Sequence, residues 1–269
     1  LRTFSRTCMD RRFCFLSVLL CLWTLSGGCA SLRPAPPPLT PPEIEGILQR
    51  MDAQKDRVST FFSLGTVVLK KWLVESEEAR ILVVGRRHPM GIKVEITHPW
   101  GAPVLHVLLD RGRLEAFSYS DATLYTGQAT PETLARFMPS PPDLESAWAI
   151  LRGYPAPRIA GEVISREGRV LTCGDGCSDP PWTLHMRPDT LEPRKLAYPG
   201  SGLEVDFGTM REQDGIFYAE EVDYRDGKRG GNVVIRNDRV EFNREIPETI
   251  FRLAKPPVYR TVDLDEETP

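Results

Sequence analysis

The feature that most constrains this chain is a succession of short runs rich in Val, Ile and Leu, joined by too few residues to hold a helix. The first group reads Leu64–Leu73, Arg80–Arg87, Ile92–Thr97, Val104–Leu109, Arg113–Ser120 and Ala122–Thr126. Runs of this kind read as strands. Parallel neighbours need a long crossover, so strands joined this closely pair antiparallel. A second group follows at Arg158–Ser165, Arg169–Cys173, Trp182–Arg187, Arg194–Tyr198, Gly202–Gly208, Ile216–Tyr224, Asn232–Asn237 and Arg239–Asn243. Together they predict a mainly β (α+β) fold on one large curved sheet or barrel.

Helices are few. Thr40-Pro41-Pro42-Glu43 has capping-box spacing. Ile44, Ile47, Leu48, Met51, Val58, Phe61 and Phe62 then recur at helical intervals, which predicts an amphipathic helix over 42–61, packed on the sheet. Midway, Thr130-Pro131-Glu132 opens a short helix through Met138, and Pro139, Pro141 and Pro142 break it. Asp143 caps another, Leu144 to Leu151. Short helices interrupting a meander can plug its open mouth. A single turn is expected at Ile246–Phe251, and the acidic tail, 256–269, is expected to be loose.

The first residues carry a different signal. Arg11 and Arg12 precede an uncharged run, Phe13 to Leu25, which ends in Leu25-Ser26-Gly27-Gly28-Cys29-Ala30-Ser31. A basic flank, a short apolar region and small residues mark a signal peptide over 1–28, too short to span a bilayer. Met9 would open a tighter signal than Leu1. The small residues before Cys29 look like a bacterial lipobox, with Ser26 where the usual pattern has Leu. Cleavage there would leave the Cys29 thiol to carry a diacylglyceryl group, and several chains anchor a protein stably. An ordinary secretory cleavage site beside a chance cysteine is the other reading. Ala30 and Ser31, with no Asp, favour the periplasmic face of the outer membrane. Residues 29–42 form a Pro-rich tether that would hold the body roughly 30 Å from the membrane, at about 3 Å per residue.

Charge and chemistry exclude more than they assign. The chain carries a net −3, and loss of Arg2, Arg6, Arg11, Arg12 and Asp10 would make it −6. With no basic stripe, nucleic acid is not an expected partner. His88, His98, His106 and His185 fall in no metal-ligand spacing, and no GxSxG, HExxH or phosphate-cradling loop occurs. Glu220, Glu221 and Asp223 read as a solvent-facing edge. No enzyme activity, metal or cofactor is expected. Cys173 and Cys177 flank Gly174-Asp175-Gly176. If this is a three-residue hairpin loop, the two cysteines face each other across strands at disulfide distance, ~4.5–5.5 Å between Cα atoms. A redox pair or two-ligand metal site is the alternative.

Thr97-His98-Pro99-Trp100-Gly101-Ala102-Pro103 links two strongly apolar strands. Pro99 and Gly101 hold a tight turn, which leaves Trp100 at its tip. The indole either folds back on the sheet or stands out as an apolar anchor suited to a membrane interface.

In this order the residues resemble the LolA/LolB half-barrel superfamily, and within it the LolB-like outer-membrane lipoprotein receptors. The lipobox, the leading helix and the His98-Pro99-Trp100-Gly101 turn match. So do the short helix Pro131–Met138, the stretch Trp148-Ala149-Ile150-Leu151-Arg152-Gly153-Tyr154-Pro155, and the ending Val240-Glu241-Phe242-Asn243 with Ile246-Pro247-Glu248 and Phe251. The resemblance covers 43–255; the cysteine hairpin and the long tail fall outside it. It implies a single strongly curved antiparallel half-barrel of about eleven strands. A leading helix and short plug helices would lie over an apolar cavity, with Leu134, Phe137, Met138, Trp148 and Leu151 on the closing helices. It further implies a monomer that takes lipoprotein acyl chains from a periplasmic LolA-like carrier. A tip of Pro99, Trp100 and Gly101 would help insert the cargo. A related half-barrel that carries or senses another lipid is one rival. A structural envelope lipoprotein that docks a partner is another, and it requires a packed interior with no cavity.

Overall fold

The computed structural model describes residues 36–71, 77–137, 143–174, 176–177, 180–228 and 230–266. The signal peptide, Cys29, the tether up to residue 35, and Met138 lie outside these residues.

Helix α1, Pro41–Asp56, opens the body. The Glu43 carboxylate accepts from Thr40 N–H and Oγ1–H, both at 2.8 Å, and these bonds hold its pKa below the usual carboxylate value. Ile47, Met51 and Gln54 are buried. The helix stops at Asp56 rather than continuing to 61. Strand β1, Thr60–Lys71, begins with Phe61 and Phe62, which pair with neighbours on both sides. Ladder bonds on two flanks outweigh a helical spacing of apolar residues in a stretch rich in aromatic and β-branched side chains.

Strands β2 (Glu77–Arg86), β3 (Gly91–Thr97), β4 (Pro103–Asp110), β5 (Arg113–Ser118) and β6 (Thr123–Gln128) follow as a meander. Helices α2 (Pro131–Leu134) and α3 (Leu144–Leu151) interrupt it. Then come β7 (Val170–Cys173), β8 (Trp182–Met186), β9 (Pro193–Tyr198), β10 (Leu203–Phe207), β11 (Met210–Gln213) and β12 (Ile216–Ala219). Strands β13 (Glu221–Asp226) and β14 (Gly231–Phe242), a 3-10 turn (Glu248–Ile250) and β15 (Arg260–Asp263) complete the chain. Among the described residues thirteen strands form one sheet, ordered β15-β6-β5-β4-β3-β2-β1-β14-β13-β10-β9-β8-β7, with β11 and β12 as a separate hairpin. The end strands β15 and β7 do not meet, so this large curved sheet is not closed into a barrel.

The concave face holds the core. Phe61 and Val67 of β1, Ile81 and Val83 of β2, Leu196 and Tyr198 of β9, and Val205 and Phe207 of β10 point there, against α1 and α3. Phe61 meets Trp148 of α3 edge to face at 5.4 Å. The convex face is partly covered too. Val84, Leu108 and Phe251 form a second cluster with Phe62 and Leu82. Arg86 clamps that cover in place. Its guanidinium lies 4.3 Å over the Phe251 ring and pairs with Asp110 at 2.9 Å and Glu248 at 2.6 Å.

Several elements differ from the sequence expectations. The run 216–224 is two strands, β12 and β13, because Glu220 turns the chain between sheets. The runs 232–237 and 239–243 merge into one strand, β14, which ends at Phe242 and has a bulge where Gly65 opposes Asn237 and Leu64 opposes Arg239. Residues 158–165 hold only an Ile164–Thr172 bridge. The tail is not loose throughout: β15 pairs parallel with β6, Arg260 opposite Thr123.

Cys173 and Cys177 form a disulfide, with Cα atoms 5.3 Å apart. They do not face each other across two strands. Cys173 opposes Trp182 in the β7–β8 ladder, and Cys177 folds back from the connecting loop. The bridge closes a small ring, worth about 2 kcal/mol by chain entropy. Cys173→Ser with Cys177→Ser is expected to lower the melting temperature accordingly in a thermal scan, leaving the far-UV spectrum unchanged.

Candidate functional site

The concave face carries an apolar cavity of about 80 Å³, open at one end. One wall is Ile81, Val94, Ile96, Val107 and Leu109, from β2, β3 and β4. Opposite stand Tyr224 of β13 and Val233 and Ile235 of β14, with Val67 and Leu69 of β1 between. Period-two alternation brings these side chains to one face, and the registers align them: Ile81 opposes Ile96, Val94 opposes Val107, Val67 opposes Ile235 and Leu69 opposes Val233. None of the fourteen lining residues carries a charge.

The roof comes from the inserted helices. Leu134 of α2, Phe137 just after it and Leu151 of α3 line the cavity. Phe137 packs edge-on against Tyr125 at 5.4 Å. Reciprocal bonds hold α2: Thr133 N–H donates to Thr130 Oγ1 at 3.3 Å, and Thr130 N–H donates to Thr133 Oγ1 at 3.0 Å. Trp148 is outside the lining, buried against Phe61. Arg152, the C-cap of α3, is also buried. Its guanidinium lies 5.1 Å from the Tyr154 ring and 5.9 Å from the Trp148 ring, and burial lowers its pKa to about 10. A cation there meets the negative end of the helix.

The mouth is marked by Leu69, which lines the cavity yet is 40% exposed. Leu69 opposes Glu77, Ala79 opposes Val67, and Arg80 opposes Thr97. The last residues of β1, the first of β2 and the β3–β4 tip therefore lie at the same end of the sheet. That tip is a tight turn: His98 N–H donates to Ala102 O and Gly101 N–H to His98 O, both at 2.8 Å. Gly101 has φ +92°, a backbone conformation that glycine adopts without strain. Trp100 does not fold back on the sheet; it is 76% exposed and stacks on His98, ring centroids 4.3 Å apart and planes 6° off parallel.

Of the five residues expected on the closing helices, Leu134, Phe137 and Leu151 line the cavity, Trp148 does not, and Met138 lies outside the described residues. The exposed strand-end Leu69 and the tyrosine in an otherwise aliphatic wall went unnoticed. A phenol amid alternating Val and Ile in β13 and β14 was the signal available for Tyr224.

No protein-family model matches the chain, and no curated protein sequence does. Solved structures do match. A LolA superfamily protein from Nitrosomonas europaea superposes with TM-score 0.50 at 15% identity, over 78% of this chain and 97% of the other. A DUF1329 family protein from Desulfovibrio piger superposes with TM-score 0.51 at 13% identity, over 77% and 95%. At these identities the likeness is one of fold: the chain has the LolA-like architecture.

Proposed function

We propose that this protein is an envelope lipoprotein of the LolB type, anchored through Cys29 to the periplasmic face of the outer membrane. In this reading it receives acyl chains of lipoproteins from a LolA-like carrier, shelters them in the cavity and releases them to the bilayer as a monomer. The observation that carries it is an uncharged cavity opening at the end of the sheet that bears the exposed Trp100. An acyl chain in water costs ~0.8 kcal/mol per exposed CH₂, so an apolar lining retains it until a better solvent is at hand. Trp100 suits that handover, because its ring enters the interface while its N–H stays hydrated. No covalent chemistry is required. A purely structural docking lipoprotein would fill its interior, and the cavity speaks against it.

The test is transfer. The chain without its lipid anchor is offered a lipidated protein on a soluble carrier, and then liposomes. Uptake followed by delivery is expected, with Trp100→Glu taking up cargo normally and delivering it at least about tenfold more slowly, since a carboxylate resists the interface. No uptake by either protein overturns the proposal.

A further inference from the structure

Tyr224 is the polar feature of the cavity. It is 2% exposed, lines the apolar wall, and its hydroxyl is buried with no hydrogen-bond partner among the described residues. Tyr198, equally buried, has Ser146 Oγ at 3.5 Å. Buried hydroxyls normally find partners, and an orphan asks for one from outside the chain. The ladders also place it: Leu69 opposes Val233, and Val233 opposes Tyr224. The tyrosine thus belongs to the cross-strand row that contains the exposed Leu69 of the mouth. Leu109 and Leu114 sit at the other end of their strands, beside the β4–β5 turn.

We propose that Tyr224 is a ligand-binding residue that donates its hydroxyl hydrogen to the carbonyl oxygen of a neutral acyl ester or amide, whose hydrocarbon runs inward toward Leu109 and Leu114. This rests on the reading of the cavity as an acyl site and adds the chemical class it accepts. The phenol is held neutral, because burial raises its pKa far above the ordinary value, so it serves as a donor. No lining residue is cationic, so an ionised fatty acid would enter with its charge uncompensated. An alkane would leave the hydroxyl orphaned. The neutral carbonyl satisfies the donor and brings no charge.

Methyl laurate, laurate at neutral pH and tetradecane, each delivered from cyclodextrin, distinguish these cases by competition with a fluorescent acyl probe. The methyl ester is expected to bind about tenfold more tightly than the alkane, the net worth of one neutral hydrogen bond in a dry site. It should also outcompete laurate. Tyr224→Phe should bring the ester down to the alkane and leave the alkane unchanged. The unliganded melting temperature of Tyr224→Phe should be equal to or above that of the parent, because an unsatisfied hydroxyl has been removed. Equal affinity of the parent for ester and alkane overturns the proposal, as does an undiminished ester affinity in Tyr224→Phe. Tighter binding of laurate than of the ester overturns the choice of a neutral carbonyl. A lower melting temperature for unliganded Tyr224→Phe means the hydroxyl is already partnered, and that too overturns it. Binding of none of the three contradicts the acyl reading of the cavity itself.

Discussion

Ile96→Glu is expected to abolish measurable binding of a lauroyl ester, with affinity falling at least about 30-fold, while the protein remains folded. Ile96 is half-buried in the cavity wall, opposite Ile81 and Leu105 and close to the end of the sheet that carries the mouth. A carboxylate there can lean toward solvent when the cavity is empty, so the fold survives. A bound acyl chain would force the charge to lose water with no cation in the lining to replace it. Burial of an unpartnered polar group costs ~1–3 kcal/mol on mutational scales, more for a charge, and each 1.4 kcal/mol is about tenfold. Glu95→Gln is the control. Glu95 neighbours Ile96 in β3 but points to the opposite face, where it pairs with Lys93 at 2.8 Å. Its removal should leave binding unchanged. A titration with the acyl probe and a thermal melt on each variant check both halves.

Gly65→Ala is expected to destabilise the protein by about 3 kcal/mol, the upper end of overpacking costs. Gly65 lies at the β1–β14 bulge, and a methyl group on it would overlap the backbone carbonyl oxygen of Arg236. Backbone cannot swing aside as a side chain does, so β14 must move away from β1. Those two strands are the centre of the sheet and carry Val67, Leu69, Val233 and Ile235 of the cavity. A fall in melting temperature of roughly 6–12 °C would follow for a domain of this size. Gly46→Ala provides the contrast: nothing lies within 4 Å of the added methyl on α1, so helix propensity alone should raise stability by about 0.5–1 kcal/mol. Equal melting temperatures for the two variants would contradict this account of the bulge.

Much of the architecture was legible because strand runs separated by short turns permit few alternatives. The meander from β1 to β6 follows directly from Asp110-Arg111-Gly112 and similar turns. The exceptions share a cause, which is covering from outside the run. Leu82 and Val84 are as apolar as Ile81 and Val83 because the segment around Phe251 covers the convex face. Alternation therefore could not say which side lined a cavity. The α1 boundary was misjudged because Val58, Phe61 and Phe62 fit both a helix stripe and a strand; pairing with β2 and β14 decides it. The tail looked loose by composition, yet β15 finds the free edge of β6, a long-range pairing that local sequence does not encode. Among the site residues, Trp100 stood out because Pro99 and Gly101 confine it to a turn. Tyr224 did not, since its isolation from partners exists only once Val205, Val233 and the inserted helices surround it.

The central claim is that an acyl chain occupies the concave face. The most direct measurement is photo-crosslinking with a lauroyl ester that carries a diazirine near its methyl end, followed by fragmentation mapping of the labelled residues. Label is expected on Leu109 and Leu114, with labelling lost in Ile96→Glu. Label confined to the convex face around Leu108 and Phe251, or to the hairpin tip at Trp100, would contradict the account.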